Sequence, residues 1–269
     1  MPESAIPATA AGGGEEPGGI VADVTVVIPA WNERENLDLL LPALRDVLSE
    51  LRLRAQIVVA DGGSTDGTQE VAARWGAEVV CQEAPGYGRA LLAGFARAVA
   101  PYVITMDADL SHRPSFVAAF WRHRHEAELL IASRYVPGGR SDVSIARRAL
   151  SVVLNRVYGR VLSLPFRDLS SGFRMYRRDV LADVHLTSWD FDALEEILIH
   201  VHAGGWRIHE IPFHFMARAS GRSHVRLLRF GWAYLRTLLR MRRFRTSLAG
   251  RAALTSPAPG DESSPSRRT

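Results

Sequence analysis

Four short apolar runs, at residues 24–28, 56–60, 78–81 and 102–106, each precede a stretch with helical spacing, and this alternation constrains the fold more than any other feature of the chain. The first two runs are β-branched and end at Pro29 and Asp61, as buried strands do. Between them, Asn32 stands three residues before Glu35, a helix-capping arrangement, and the Leu-rich stretch 37–53 has a helical repeat. Helices are also predicted over 68–75, 89–99 and 114–125, the last opening on Pro114. Strand and helix in alternation predict an α/β fold, a mostly parallel sheet with right-handed crossovers and helices on both faces. After a further strand at 129–133 the regularity weakens. A loop containing Gly and Pro spans 136–144, followed by a helix over 145–162, a strand over 173–176, a helix over 191–203 and a last strand over 208–215.

At 269 residues and 47% hydrophobic, the chain can bury one substantial core. Its single cysteine, Cys81, excludes an internal disulfide framework and agrees with a reducing compartment. Residues 1–21 are read as a flexible leader, since they are rich in Gly, Pro and Ala and lack the basic start and apolar stretch of a secretory signal. Residues 22–223 then form the main domain, 224–247 a basic amphipathic helix and 248–269 a disordered tail. The formal charge is +4, and all 33 basic residues are Arg. Uniform Arg usage makes any one Arg weak evidence for phosphate recognition, so position must decide.

Two motifs end strands. Asp107-Ala108-Asp109 follows the fourth run, and two carboxylates one residue apart either share a hard divalent cation such as Mg²⁺ or Mn²⁺ or decorate a turn. A strand ending this way places them in the crevice at the carboxyl edge of an open sheet, where such folds bind ligands. The second motif, Asp61-Gly62-Gly63-Ser64-Thr65-Asp66-Gly67-Thr68, follows the second run. Its glycines allow close approach to a nucleotide while Asp61 accepts hydrogen bonds from base or ribose; the plainer reading is a turn in which Thr65 or Asp66 caps the next helix.

In order along the chain, 26–33 (VVIPAWNE), 61–68 (DGGSTDGT), the Gly86 to Gly94 region and 107–112 (DADLSH) resemble family 2 glycosyltransferases of the GT-A fold. Three further segments, 133–139 (SRYVPGG), 168–174 (DLSSGFR) and 218–223 (RASGRS), narrow the resemblance to polyprenol or dolichol phosphate mannosyltransferases, over about residues 22–245. The resemblance implies a GT-A-like, Rossmann-related fold and residues 22–223 as its catalytic domain. It implies that Pro29, Ala30, Glu33 and Asp61 hold the nucleoside of GDP-mannose, and that Asp107 and Asp109 bind Mg²⁺ or Mn²⁺ and the diphosphate. It also implies that Arg134 and Arg147 receive the phosphate of a polyprenyl monophosphate acceptor, with Arg218 near the donor phosphates. Each Arg has the alternative of a solvated surface charge.

An acceptor phosphate is already anionic near neutral pH, so no dedicated base is required, and in-line attack implies inversion at the sugar. Three positions depart from the family pattern: Gly62 stands where many relatives carry a second Asp, Arg113 where Pro is common, and His224 where Lys is frequent. Ser111 stands where some relatives place a Gln metal ligand and is not read as a direct ligand. Asp168 either shapes the acceptor end of the cleft or caps a turn. Glu195 and Glu196 either face the sugar or solvate a helix. His200, His202, His209 and His214 do not have zinc-site spacing and are read as structural.

The chain has no uninterrupted apolar segment of bilayer length. On a helical wheel for 225–244, Arg226, Arg229, Arg236, Arg240 and Arg243 lie on one side, with Leu227, Leu235, Leu238, Leu239 and Met241 mostly opposite. This is either an interfacial helix that brings the protein to the cytoplasmic face of a membrane or to a membrane-domain partner, or a terminal helix packed on the domain. No nucleic-acid module is present, so no nucleic-acid partner is expected. The rival readings are a polyprenyl phosphate glucosyltransferase using UDP-glucose and a catalytically idle nucleotide-sugar or membrane-binding scaffold.

Overall fold

The structure, a computed structural model, describes residues 4–5, 22–182, 184–190, 192–216, 237–243 and 245. The elements that position the site are β1 (Val24–Ala30), α1 (Arg34–Glu50), β2 (Ala55–Asp61), α2 (Thr68–Arg74), β3 (Glu78–Cys81), α3 (Tyr87–Arg97), β4 (Tyr102–Thr105), α4 (Val117–His123), β5 (Leu129–Ser133), α5 (Ile145–Leu162), β6 (Arg174–Arg177), the short α6 (Arg178–Leu181), α7 (Ala193–Ala203) and β7 (Ile208–Pro212). The strands form one seven-stranded sheet in the order β7-β5-β6-β4-β1-β2-β3. All neighbours are parallel except β6, which runs antiparallel to both β4 and β5.

Strand alternation divides the core into two layers. Val24, Val26 and Ile28 of β1 join Ile57, Val59, Ile104 and Leu130 on one face, where α1 lays down Leu37, Leu40, Leu41, Leu44 and Leu48 at helical spacing. Val27, Val58, Val103 and Ile131 point the other way, against Leu91 and Phe95 of α3, Tyr158 and Leu162 of α5, and Leu194, Ile197 and Leu198 of α7. Both faces are covered, which explains why these strands read as continuous apolar runs. Gly94 allows α3 to lie against β1, because a Cβ there would meet Val27 Cγ1 at 2.2 Å.

The expected last strand is two. β7 ends at Pro212, Phe213 turns inward, and His214–Phe215 pairs instead with Arg140–Ser141, inside the segment read as a loop. Within the segment read as a leader, Ser4–Ala5 pairs antiparallel with His185–Leu186. Of the expected amphipathic helix, only 237–243 and 245 fall among the described residues. They are helical, and Leu238 and Met241 are buried in the second core layer, so these two side chains serve the packed alternative. Arg240 of the same turn pairs with Asp192 and donates to Ser188 Oγ at 3.1 Å. Among the described residues no helix is long and apolar enough to cross a membrane.

Candidate active site

The parallel strands β1, β2, β4 and β5 all end on one edge of the sheet, and antiparallel β6 brings its amino end there, with Arg174 opposite Thr105 and Ile131. The sequence-predicted residues gather along this edge in three groups.

The first group joins the ends of β1 and β2. Ala30 lies opposite Asp61, and the Gly62 amide donates to the Ala30 carbonyl at 2.8 Å. Pro29 and Glu33 are half-buried beside them. Asp61 is fully buried, and its Oδ2 accepts from the Gly63 and Ser64 amides, both at 3.0 Å, and from Gln69 Nε2 at 2.7 Å, while Oδ1 takes the Ser64 hydroxyl. Both oxygens therefore shape the turn, and a ligand hydrogen bond to Asp61 would replace one of these donors. The expected Asn32 cap is not formed. Asn32 has φ 55°, its Oδ1 accepts the Thr65 amide at 2.9 Å, and Glu33 is the N-cap. Donors at the start of α1 are satisfied from the neighbouring loop: Thr68 Oγ1 accepts the Glu33 amide at 2.9 Å and Asp66 Oδ2 the Arg34 amide at 3.1 Å. Asp66 Oδ1 also accepts the Thr68 amide at 3.0 Å. Partial burial opposes the Asp66 charge, but the Thr68 hydroxyl and the Arg34 and Thr68 amides prevail and hold its carboxyl below the ordinary value.

The second group surrounds Asp107 and Asp109. Asp107 Oδ1 accepts the Tyr87 hydroxyl at 3.1 Å. The Asp107 amide donates to His112 Nδ1 at 2.9 Å, so a neutral His112 carries its proton on Nε2, which lies 3.6 Å from Asp107 Oδ2. Burial lowers His112 below the ordinary imidazole value, with Asp107 and Asp109 opposing, and its ring stacks on Phe173 at 4.7 Å. Burial, then the charge of Asp107, raises the Tyr87 phenol well above its ordinary value, so it remains a donor. Asp109 Oδ1 accepts the Ser111 amide at 3.1 Å and its hydroxyl at 2.5 Å. Ser111 thus braces a carboxylate. Gly172 fits over the group because it lacks a Cβ, which would sit 2.6 Å from the Tyr87 oxygen and 3.3 Å from Asp107 Oδ1. Among the described residues no three or more His, Cys, Asp or Glu side chains form a metal-binding cluster. Two braced carboxylates fit Mg²⁺ or Mn²⁺, which take one or two protein carboxylates and complete their shells with water and phosphate oxygens.

The third group centres on Arg134, just past β5. Its backbone amide and Nε donate to Asp168 Oδ2 at 2.9 and 2.8 Å, and its Nη2 to Asp168 Oδ1 at 2.7 Å and Ser170 Oγ at 2.9 Å. Asp168 is fully buried. Arg174, also fully buried, donates to the carbonyls of Ser171, Leu194 and Leu169, fixing the loop that carries Asp168, Ser170 and Gly172 to the start of α7. Glu195 and Glu196 are both buried rather than solvating α7. Glu196 accepts the Thr187 amide and hydroxyl and the Ser188 amide. Glu195 lines a small hollow with Ser151, Asn155, Tyr158 and Ser170, and burial pushes its carboxyl up to about 7, with its own backbone amide and then Arg174 opposing. Arg147 lies exposed in the first turn of α5. Its link to Arg134 is indirect, through the 2.7 Å bond from Tyr135 OH to Ser151 Oγ. Arg218, Gly221 to Ser223 and His224 lie outside the described residues.

The histidines disperse. His200 Nε2 meets the His185 carbonyl at 2.8 Å, His209 lies 3.6 Å from Glu126 and His214 2.7 Å from Asp142. Sequence reasoning carried Tyr87, His112, Gly172 and Arg174 only inside motifs and gave none of them a role of its own. The Gly86-Tyr87-Gly88 pattern was the available signal, since both glycines are needed: a Cβ would lie 2.3 Å from the Trp189 carbonyl oxygen at Gly86 and 2.6 Å from that of Ser188 at Gly88.

The family model of glycosyl transferase family 2 matches residues 25–184, which span every strand from β1 to β6. The chain belongs to that family. A dolichol-phosphate mannosyltransferase of Pyrococcus furiosus is 32% identical over 212 residues, covering 76% of this chain and 59% of that protein; the chain thus aligns with little more than half the length of this relative. An uncharacterised glycosyltransferase of Mycobacterium tuberculosis is 35% identical over 206 residues, covering 75% of this chain and 89% of the relative. Among solved structures, the glucosyl-3-phosphoglycerate synthase of M. tuberculosis in complex with Mn²⁺, UDP and glucosyl-3-phosphoglycerate has a TM-score of 0.61 at 22% identity, covering 83% of this chain and 80% of that one. A second structure of that synthase gives 0.63 at 22% identity over the same shares. This family 2 glycosyltransferase therefore has the GT-A fold expected from its motifs.

Proposed function

We propose that this glycosyltransferase moves mannose from GDP-mannose to a polyprenyl monophosphate, with inversion, giving polyprenyl phosphate mannose. The observation that carries the reading is the convergence of three groups on one sheet edge: the Ala30–Asp61 turn, the Asp107–Asp109 pair and the Arg134–Asp168 loop. The named relative from Pyrococcus furiosus supports the same acceptor chemistry.

In the reaction an acceptor phosphate oxygen attacks the anomeric carbon and forms the new C–O bond. The bond from that carbon to the β-phosphate oxygen breaks, and its electron pair leaves with GDP. The acceptor is a monoester with a second pKa of about 6, so it arrives anionic and no side chain need remove a proton. Asp107 and Asp109 would hold a divalent cation, which when bound would neutralise the charge of the departing diphosphate. Pro29, Ala30, Glu33 and Asp61 hold the nucleoside. Arg134 offers the acceptor phosphate its Nη1 edge, since Nε and Nη2 are committed to Asp168 and Ser170. Arg147 supplies a second charge. Alignment and charge complementarity, rather than acid–base chemistry, carry the rate.

A donor panel with polyprenyl phosphate tests this. GDP-mannose is expected to exceed UDP-glucose in kcat/KM by roughly tenfold or more, the value of one well-placed contact. The reverse order assigns the protein to glucose transfer, and donor binding without any lipid product identifies an idle scaffold. Arg147→Ala is expected to impair use of the acceptor more than binding of the donor.

A further inference from the structure

We propose that the side-chain amide of Gln82 contacts the base of the donor nucleotide and takes part in selecting it. Gln82 stands one residue past β3, on the edge where β1 and β2 also end, and its backbone N–H donates to the Asp61 carbonyl at 3.1 Å. The residue is half-buried, and among the described residues no donor reaches its Oε1, which is itself buried. A buried acceptor left unpaired costs stability, so its presence calls for an explanation outside the fold, and a ligand N–H supplies one. The ends of three strands meet here. A Cβ on Gly62 would stand 3.1 Å from Gln82 Nε2, 3.4 Å from the Ala30 carbonyl oxygen and 3.4 Å from Trp31 Cβ, so the bare glycine keeps the space between them open.

Chemistry selects the ligand group. Asp61, the carboxylate that the motifs point to for the nucleoside, has both oxygens committed to Gly63, Ser64 and Gln69. The amide beside it is the group with an acceptor to spare. Trp31, 67% exposed, adds an aromatic side chain on the same rim. A side-chain amide next to an aromatic ring suits a nucleobase, which is flat and carries its hydrogen-bonding groups on its edge, better than a sugar or a diphosphate. A half-turn about the last bond of the Gln82 side chain exchanges Oε1 with the Nε2 that faces Gly62, so the amide can present its acceptor to the open space as well as its donor. It then matches the adjacent N–H and C=O of guanine or of uracil, accepting from the ring nitrogen and donating to the carbonyl.

The inference rests on the reading of this edge as the nucleoside site, but its test measures nucleotide binding and needs neither lipid acceptor nor transfer, so the two can fail separately. Binding of GDP, UDP and pyrophosphate to the full chain is measured by calorimetric titration in the presence of Mn²⁺. Gln82→Met, which keeps the length of the side chain and removes its polar end, should weaken GDP binding by roughly five- to tenfold and leave pyrophosphate binding unchanged. Its melting temperature should not fall, because the variant no longer buries an unpaired acceptor; a Gln82 that served only the fold would give a lower melting temperature and no change in affinity. Gln82→Glu replaces the amide by an acceptor-only group. Guanine offers it two neighbouring donors, whereas the single ring N–H of uracil is flanked by carbonyl oxygens, so the ratio of GDP to UDP affinity should rise by roughly tenfold. That ratio is insensitive to a uniform loss of folded protein. A ratio unchanged in Gln82→Glu together with unweakened GDP binding in Gln82→Met overturns the proposal alone, as does an equal loss of GDP and pyrophosphate binding. Failure of the unaltered protein to bind either nucleotide overturns it together with the nucleotide-donor reading.

Discussion

Asp107 draws its position from residues that the motif itself does not contain. Tyr87 donates to one of its oxygens, His112 accepts its amide, and Gly172 leaves the space in which they meet. Groups that orient a carboxylate ligand commonly change metal affinity when removed. Tyr87→Phe is therefore expected to weaken Mn²⁺ binding by roughly tenfold, read by direct Mn²⁺ titration, with little change in melting temperature. Glu195 gives a pH-dependent prediction. Burial raises its folded pKa to about 7, above the ordinary carboxyl value, so its contribution favours the fold at acid pH and is lost as pH rises through about 7. Glu195→Gln should consequently gain stability over the unaltered protein in denaturant titrations at pH 8, by on the order of 1–3 kcal/mol, and show little advantage at pH 4. Arg174 and Asp168 are the charged groups that act on it, and both remain in the variant.

Between elements, the loops after β1 and β2 cap each other. Asp66 and Thr68 receive the Glu33 and Arg34 amides at the start of α1. The carboxyl of Asp66 is held below its ordinary value, so its contribution is full above pH 4 and disappears as pH falls through the depressed folded value. Asp66→Asn should cost about 1 kcal/mol at pH 7 and less at pH 3, measured by urea denaturation. This exchange was hidden in the sequence, where the spacing of Asn32 and Glu35 has the form of a local cap; pairing of β1 with β2 puts a better acceptor within reach. Strand positions were legible because runs buried on both faces are continuously apolar. The break at Phe213 was not, because alternation of side chains continues while the pairing partner changes from β5 to Arg140–Ser141.

At the scale of the molecule, alternating strands and helices announced an α/β sheet, but periodicity carries no information about strand order. The placement of β6 between β4 and β5, antiparallel to both, emerged only in the structure, and it is what brings Gly172 over Asp107. The motifs marked the carboxylates and the nucleoside turn. They gave no notice that Arg134 is held by Asp168, because those residues meet only after the sheet closes. At the end of the described chain Met241 is fully buried, so Met241→Ala should lower stability by about 2 kcal/mol or more in the same denaturation assay. The most direct test of the whole account is transfer of radiolabelled mannose from GDP-mannose into an organic-phase product, with polyprenyl phosphate as acceptor, by the unaltered protein and by folded Asp109→Ala. The account predicts lipid-linked label in the presence of Mg²⁺ or Mn²⁺ that disappears on chelation and in the variant; lipid-linked label that survives both would contradict it.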